Sequence, residues 1–328
     1  MTFKSSIFIA VMLLLQVTGI CQSSNPRFKH LTIEDGLPQN MVDCMLQDSH
    51  GFLWMGTWNG LCRYNGYDFE VFDSPNSGID DTFIYALAED AFGNVWIGNR
   101  VGLSIYTKEQ GRFKNVAIPT LNGPIEVRDF ANYGDSTIIM ASDKGLSFLS
   151  PDKSGNVSIT RHLTMGSELL GSIVNTVTVD SWQNVWIGTD EGLYLLTNQG
   201  DLNHFNVGDE SGLASNKVLA VYESKNKDIW IGTEFGFYQY LSDSHTFLSN
   251  FNDPNDSKSL VHSTVMDILE LENGHLLLAT LGGLSVFNPD KLDFSNYSHD
   301  PNIDHSLSND FVNCLLKDRS GNIWIGTE

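Results

Sequence analysis

Two variable residues follow each copy of a recurring Trp-Ile-Gly-Thr sequence, and several of them have side chains that bind polar ligands. Trp58 and Phe235 carry aromatic faces that can stack against a flat ring such as that of a sugar. Arg100, like the asparagine and acidic side chains at this place, can hydrogen-bond hydroxyl groups. Taken singly, each of these is more often a solvated loop residue or a side chain that hydrogen-bonds the backbone N–H of a turn. A binding site therefore requires that the fold bring them together.

The candidate binding residues come from two kinds of segment. Those that follow the recurring motif are Trp58, Asn59, Arg100, Asp190, Glu191, Glu234 and Phe235. Those in the segments that lead into the first apolar stretch of a unit are Asn40, Asn216 and Asn309, together with Asp81. Recognition usually resides in loops on a rigid scaffold, and the variable positions of a regular repeat are where such arrays encode specificity.

The motif recurs at a nearly constant interval along the chain. Its five close copies contain Trp54, Trp96, Trp186, Trp230 and Trp324, and in two weaker copies Ile139 and Leu277 occupy the tryptophan position. Six copies continue into a glycine, at positions 60, 102, 145, 192, 236 and 283, so the intervals are 42, 43, 47, 44 and 47 residues. A period in the forties fits either a four-stranded propeller blade or a pair of helices.

The local pattern favours four strands per unit. In the first unit, residues 41–47, 52–57, 61–64 and 69–72 are short apolar or aromatic runs, which is typical of strands. Tight-turn sequences, Asp-x-x-Gly and Asn65-Gly66, separate these runs. No stretch of ten residues after position 25 shows a capped helical stripe. We therefore predict an all-β fold, a seven-bladed β-propeller with tryptophans packed between four-stranded blades.

The seventh copy of the motif is incomplete in this sequence. It begins at Asp318, and its third strand would lie beyond Glu328. Residues 28–33 look like the outer strand of a blade, so we expect them to complete the seventh blade and latch the ring. We also expect the natural parent to continue past Glu328, and a chain ending there to be less stable and more prone to associate through its open strand edge. The predicted domains are an export signal over 1–22 and the propeller over 23–328.

Charge and cysteine content narrow the functional classes. The net charge of −21 argues against contact with nucleic acid, which requires a positive surface. Lys4 followed by the apolar run 7–15 indicates an export signal that is too short to span a membrane. Cys44, Cys62 and Cys314 have no spacing that suggests a metal, and we predict neither metal nor cofactor. A disulfide between Cys44 and Cys314 is left open, although inner-strand cysteines are usually buried thiols.

The repeat unit resembles the two-component regulator propeller repeat. The resemblance rests on residues 212–237, with GLASN and IWIGTEFGF, and on DPN and SLSNDFV in residues 300–312, and it covers roughly residues 27–328. It implies the N-terminal sensor propeller of a Bacteroidetes-type hybrid two-component histidine kinase. The implied location is the periplasm, with the parent anchored in the inner membrane. The implied ligand is an oligosaccharide, and its recognition would regulate polysaccharide-utilisation genes through signal transduction. The other implied partners are the parent's further propeller and signalling domains, and a homodimer of the parent is left open.

Two other classes of function are compatible with a propeller fold, namely an enzyme and a protein that binds another protein. A propeller lyase or glycosidase would need a positioned acid–base pair or a cluster of arginines, whereas the arginines and histidines here are scattered among the units. We therefore predict that this chain, which also has no kinase motif, is not an enzyme. A propeller that binds another protein is the alternative to a ligand sensor.

Overall fold

The computed structural model of the chain describes residues 26–73, 77–118, 121, 123–171 and 173–328. Its strands are joined by turns, and a single 3₁₀ helix occurs in the described residues, at Ile33–Asp35. The predicted all-β class is confirmed. The predicted export signal, residues 1–22, lies outside the described residues. No helix among the described residues is long and apolar enough to cross a membrane.

Six sheets of four antiparallel strands form the blades, and in each sheet the strands lie in chain order. Blades one and two contain β1 (Val42–Gln47), β2 (Leu53–Thr57), β3 (Gly60–Tyr64), β4 (Phe69–Phe72), β5 (Ile84–Glu89), β6 (Val95–Asn99), β7 (Leu103–Thr107) and β8 (Arg112–Val116). Blades three and four contain β9 (Val127–Tyr133), β10 (Thr137–Ser142), β11 (Gly145–Pro151), β12 (Val157–Thr164), β13 (Val174–Val179), β14 (Val185–Thr189), β15 (Leu193–Leu196) and β16 (Leu202–Phe205). Blades five and six contain β17 (Val218–Glu223), β18 (Ile229–Thr233), β19 (Phe237–Leu241), β20 (Thr246–Asn250), β21 (Val265–Glu270), β22 (Leu276–Thr280), β23 (Gly283–Asn288) and β24 (Asp293–Tyr297).

The prediction of a seven-bladed ring with an incomplete last blade is wrong, because the described residues form six four-stranded blades and a separate two-stranded sheet. The seventh position holds a two-stranded sheet of β25 (Val312–Lys317) and β26 (Ile323–Thr327), which lies between the inner strands of blades six and one. The predicted outer strand, residues 28–33, does not form a strand. With no third strand between it and β26, that segment has no sheet neighbour to pair with. It is held instead by loop contacts, such as the 3.1 Å hydrogen bond from the Phe28 N–H to the His305 carbonyl.

A cavity of about 890 Å³ occupies the space between the N-terminal segment and β26. Leu31, Tyr64, Trp324 and Ile325 are among the side chains that line it. In a complete blade this space is filled by the third strand, as β3 fills it in blade one. The cavity is therefore a feature of the two-stranded sheet, and Asn40 is the one predicted ligand-binding residue that lines it.

The motif tryptophans pack between neighbouring blades, as predicted. Trp54 and Trp96 have no exposed surface, and Trp186 and Trp230 are 2% and 3% exposed. Trp96, for example, lies in one cluster with Val127 and Phe130 of the next blade. Trp324 is only half-buried because β26 lacks a neighbouring strand on its open side.

The turn aspartate of the motif fixes the tryptophan as well as the turn. Asp48 Oδ1 accepts hydrogen bonds from the backbone N–H groups of His50 and Phe52, as the sequence predicts for a tight turn. Its second oxygen accepts the indole N–H of Trp54 at 2.8 Å. The same bond joins Asp90 to Trp96, Asp180 to Trp186 and Asp318 to Trp324. One carboxylate thus satisfies the turn and the buried indole donor together, which explains why both residues recur at a fixed interval.

The glycine two residues after each tryptophan is required by close packing. A Cβ atom at Gly98 would lie 2.6 Å from Val127 Cγ1 on the inner strand of the next blade. Gly188 and Gly232 meet Val218 and Val265 in the same way. These glycines permit close approach of neighbouring strands, as predicted.

Blades three and six, which lack the tryptophan, carry a half-buried aspartate on the inner strand. Asp129 Oδ2 accepts the Val177 N–H and the Thr176 hydroxyl of blade four, both at 2.9 Å. Asp267 Oδ2 accepts the Leu315 N–H of β25 at 2.7 Å. These two carboxyl groups therefore join their blades to the next inner strand through hydrogen bonds.

We predict that the free energy of unfolding depends on pH because of these two aspartates. Burial raises the pKa of Asp129 from 3.8 to about 6 and that of Asp267 to about 7. The folded state binds the carboxyl protons of Asp129 and Asp267 more tightly than the unfolded chain does. The stability that this proton binding adds is therefore fully present below the unfolded pKa and is lost as pH rises through the folded pKa. In chemical unfolding experiments, Asp267→Asn is expected to flatten the fall in unfolding free energy between about pH 4 and pH 7. The exposed Asp135→Asn is the control, and equal slopes for wild type and Asp267→Asn would contradict the prediction.

The cysteines of the described residues are free thiols. Cys44 Sγ lies 3.8 Å from the Ile84 carbonyl, and Cys314 Sγ lies 3.6 Å from the Val42 carbonyl, so each faces a neighbouring inner strand. Burial raises the pKa of the Cys62 thiol to about 12. The disulfide that the sequence leaves open is absent, and the three cysteines act as small core residues.

Candidate functional site

The loops between second and third strands share one face with the loops that enter the inner strands, as predicted. In blade one the Gly60 N–H donates to the Thr82 carbonyl at 2.9 Å, and in blade five the Gly236 N–H donates to the Ser263 carbonyl at 2.7 Å. Each bond joins the loop between the second and third strands of one blade to the segment that enters the inner strand of the next blade. This face, called here the loop face, surrounds one mouth of the central channel.

An aromatic and cationic stack lies on the loop face between blades one and two. Trp58 is 42% exposed, and its ring centroid is 5.7 Å from that of Phe83. The Arg100 guanidinium lies over the Phe83 ring, 4.3 Å from its centroid, so Phe83 contacts both Trp58 and Arg100. Asp81 Oδ2 accepts the Arg100 Nε–H at 3.0 Å and orients the guanidinium. The structure therefore brings together two predicted site residues from different blades, Trp58 and Arg100.

Below this stack, the inner strands supply a second layer of side chains that the sequence reasoning missed. Each inner strand has a β-bulge after its first residue, for example between Val42 and Cys44 in β1. The bulged residues of the seven inner strands, all half-buried, are Asp43, Tyr85, Arg128, Asn175, Leu219, Met266 and Asn313. A bulge re-aims a side chain and often lies next to a functional site. The signal in the sequence was a variable residue inside an otherwise apolar strand.

Asp43 and Arg128 are the charged members of this layer. The Arg128 guanidinium lies 4.6 Å from the Tyr85 ring centroid and forms an ion pair with Glu126. Asp43 Oδ1 accepts a hydrogen bond from Asn313 Nδ2 at 3.3 Å. Among the described residues, Asp43 Oδ2 and Arg128 Nε are buried without a hydrogen-bond partner. One acceptor and one donor without a hydrogen-bond partner are therefore buried within this layer.

The electrostatics of Asp43 differ from those of a surface carboxyl group. Burial raises its pKa to about 6, and a hydrogen bond from the Trp58 side chain opposes the rise. The nearby charge of Arg128 also lowers this pKa, whereas that of Glu328 raises it. The carboxyl group is thus ionised at neutral pH but changes charge under mildly acidic conditions.

The predicted asparagines support loops. Asn40 Oδ1 accepts the Ile33 N–H at 2.9 Å, and Asn216 Oδ1 accepts the Val207 N–H at 2.7 Å. Asn309 Oδ1 accepts the Phe311 N–H at 2.8 Å. Their acceptor oxygens are therefore engaged by backbone, as the alternative turn interpretation anticipated.

The remaining predicted residues lie around the same face, and all of them except Asn59 belong to blades four and five. Asn59 is exposed beside Trp58, and the Glu191 carbonyl lies 2.9 Å from His204 Nε2. Asp190 Oδ1 accepts the Ile173 N–H at 3.3 Å. In blade five, Glu234 pairs with Lys217 at 3.6 Å, and the Phe235 ring lies 5.4 Å from that of Phe251. Blade three separates this group from Trp58 and Arg100, so the predicted residues form two groups.

The candidate groups offer binding chemistry more readily than catalysis. They combine exposed aromatic faces with hydrogen-bonding groups, which is the composition of a site that fixes a ligand's orientation. Among the described residues, no group of three histidine, cysteine or acidic side chains could hold a metal ion. The prediction that this chain is not an enzyme stays a prediction.

A family model described as the two component regulator propeller matches residues 36–59, 78–101, 212–235 and 306–328. Each matched segment enters an inner strand and continues through the second strand into the loop face. The chain carries two-component regulator propeller repeats. The resemblance inferred from the sequence is therefore confirmed, and four of the seven predicted units match the repeat model directly.

The comparison with solved structures connects these repeats to sensor domains. The propeller is similar to the extracellular domain assigned to the hybrid two-component system BT3049 of B. thetaiotaomicron, with 25% identity and a TM-score of 0.76. The match covers 92% of this chain and 41% of that chain. The propeller is thus homologous to extracellular sensor domains of hybrid two-component systems, and it spans about two fifths of the length of that relative.

Two further matches differ in what they add. A 58-residue segment is 40% identical to Histidine kinase P4 of Formosa agariphila, and it covers 18% of this chain and 4% of that protein. A streptogramin B lyase is 12% identical over 89% of this chain and 92% of its own, with a TM-score of 0.66. At that identity the likeness to the lyase shows the fold alone, because one fold hosts many functions.

Proposed function

We propose that this propeller is the extracytoplasmic ligand-sensing part of a two-component signalling protein and that its ligand is an oligosaccharide. The observation that carries the proposal is the stack of Trp58, Phe83 and Arg100 on the loop face. Exposed aromatic rings beside oriented hydrogen-bonding groups suit a sugar, which has apolar ring faces and hydroxyl edges. The homology to an extracellular sensor domain supports a role in signalling.

The proposal places the chain in the periplasm, with the parent anchored in the inner membrane. The apolar segment after Lys4 and the extracellular nature of the BT3049 relative support this location. Further propeller and signalling domains would be its partners in the parent, and a homodimer would be the signalling assembly. The net charge of −21 opposes contact with nucleic acid.

Titration calorimetry with a panel of trisaccharides tests the proposal. The panel contains trisaccharides of glucose, mannose, xylose and galactose, together with those of galacturonic and mannuronic acid. We expect at least one to bind this chain with a Kd between about 1 μM and 1 mM. Binding of none, by protein whose folding is verified by circular dichroism, would reject a saccharide site on this propeller and favour the alternative of a protein-binding propeller.

A further inference from the structure

The open edge of β26 faces the cavity between that strand and the N-terminal segment. Ile323, Trp324, Ile325 and Thr327 line the cavity on one side, and residues 26–32 line it on the other. In each four-stranded blade the second strand has a neighbour on both sides, whereas β26 pairs with β25 alone among the described strands. An unpaired edge presents backbone N–H and C=O groups that can pair with another extended chain.

The third strands of the six blades show which side chain such an edge accepts. Each third strand has a leucine or phenylalanine opposite a glycine or alanine of the second strand, as Leu61 lies opposite Gly56. Leu61 packs against Ile79, in the segment entering blade two, and against Ile84, the first residue of β5. The equivalent groups of three are Leu103, Ile125 and Val127; Leu146, Leu169 and Val174; Leu193, Leu213 and Val218; Phe237, Leu260 and Val265; and Leu284, Leu307 and Val312.

Leu37 and Val42 are the corresponding pair beside β26. Leu37 lies in the segment entering blade one, Val42 is the first residue of β1, and both line the cavity. They belong to one apolar cluster, against which Trp324 also packs. Because these two walls match those of the six groups above, a leucine or phenylalanine opposite Gly326 would contact both of them.

The last residue of each second strand defines the polar contact at the start of the third strand. In blade four the backbone N–H and the hydroxyl of Thr189 both donate to the Gly192 carbonyl, at 3.0 and 2.8 Å. Thr233 donates to the Gly236 carbonyl in the same two ways, both at 3.1 Å. Thr327 has the same position on β26 and lines the cavity. It therefore suits a glycine carbonyl at the start of a bound strand.

We propose that this cavity binds one extended strand of a partner protein, which pairs antiparallel with β26. The strand carries glycine opposite Thr327 and leucine or phenylalanine opposite Gly326. A second copy of this chain is not the donor, because each third strand of the described residues already pairs within its own blade. The inference goes beyond the proposed function and does not depend on it, since neither Trp58 nor Arg100 lines this cavity.

Two capped peptides test the proposal on the wild-type protein. The first has the sequence of residues 102–107, Gly-Leu-Ser-Ile-Tyr-Thr, which lies beside the Val-Trp-Ile-Gly sequence of β6 in blade two. The second exchanges its leucine and serine, which keeps the composition but moves leucine to the opposite face of the strand. In titration calorimetry we expect the first to bind with a Kd below about 1 mM and the second at least about ten-fold more weakly. Hydrogen exchange at residues 323–327 should slow when the first peptide binds.

A protein variant tests the apolar pocket separately. Leu37→Ala removes one wall of the pocket and is expected to weaken binding of the first peptide by about ten-fold. The matched control is Leu202→Ala, at a 37% exposed position on β16, which should leave the affinity unchanged. The peptide comparison uses wild-type protein and so does not depend on how the variants fold. No binding of the first peptide, or equal binding of both peptides, would overturn the proposal. A dimer whose residues 323–327 are protected from exchange without peptide would also overturn it, because a second copy would then cover the edge.

Discussion

Replacing Trp96 with alanine is expected to lower the free energy of unfolding by about 3–5 kcal/mol. The side chain is fully buried and packs against Val127 and Phe130 of the next blade. Its indole N–H donates to Asp90 at 3.0 Å, so the variant also leaves a buried carboxylate oxygen with one donor fewer. Loss of packing between two blades, and not within one, explains why the effect is expected to be large.

The matched control for this prediction is Trp182→Ala. Trp182 has the same residue type and lies in the turn before β14, but it is 54% exposed. Its replacement is expected to change the free energy of unfolding by no more than about 0.5 kcal/mol. Denaturant unfolding curves of both variants make the comparison. Equal losses would contradict the assignment of the motif tryptophans to the contacts between blades.

Much of the fold is predictable from the sequence because each repeated residue has a local task. The turn aspartate, the tryptophan and the glycine each make contacts within one unit or with the adjacent unit. The sequence of a single unit is therefore enough to predict how neighbouring blades pack. The pairing of Trp54 with Asp48 was not anticipated, since the indole N–H partner depends on how the turn folds back over the second strand.

The seventh position could not be predicted in the same way. Whether residues 28–33 form a strand depends on a neighbour to pair with, and a pattern of apolar residues does not supply one. In the structure the Phe28 N–H bonds to a loop carbonyl, and β26 pairs only with β25 among the described strands. Strand formation here is decided by tertiary context and not by the local sequence.

The candidate site was predictable only in its outer layer. Trp58 and Arg100 were found because their positions vary within a fixed motif. Asp43 and Arg128 were missed because they lie inside apolar inner strands, where a β-bulge turns the side chain out of the regular alternation. Asn40 was assigned to the site, yet its oxygen accepts the Ile33 N–H. Residue type alone does not distinguish a ligand-binding amide from one that supports a turn.

The measurement that tests the sensor proposal most directly is the affinity of the Trp58→Ala/Arg100→Ala double variant for the tightest trisaccharide of the panel. Removing a stacked ring that contributes roughly 1–2 kcal/mol, together with the guanidinium beside it, is expected to weaken binding at least about ten-fold. The fold should persist, because both side chains lie on exposed loops.

The matched control is Trp182→Ala/Arg112→Ala, which removes the same residue types from exposed positions away from the loop face. Titration calorimetry of the wild type and both double variants gives the comparison. The account predicts a loss of affinity of at least about ten-fold for the loop-face variant and none for the control. A folded loop-face variant that binds the trisaccharide as tightly as the wild type would contradict it.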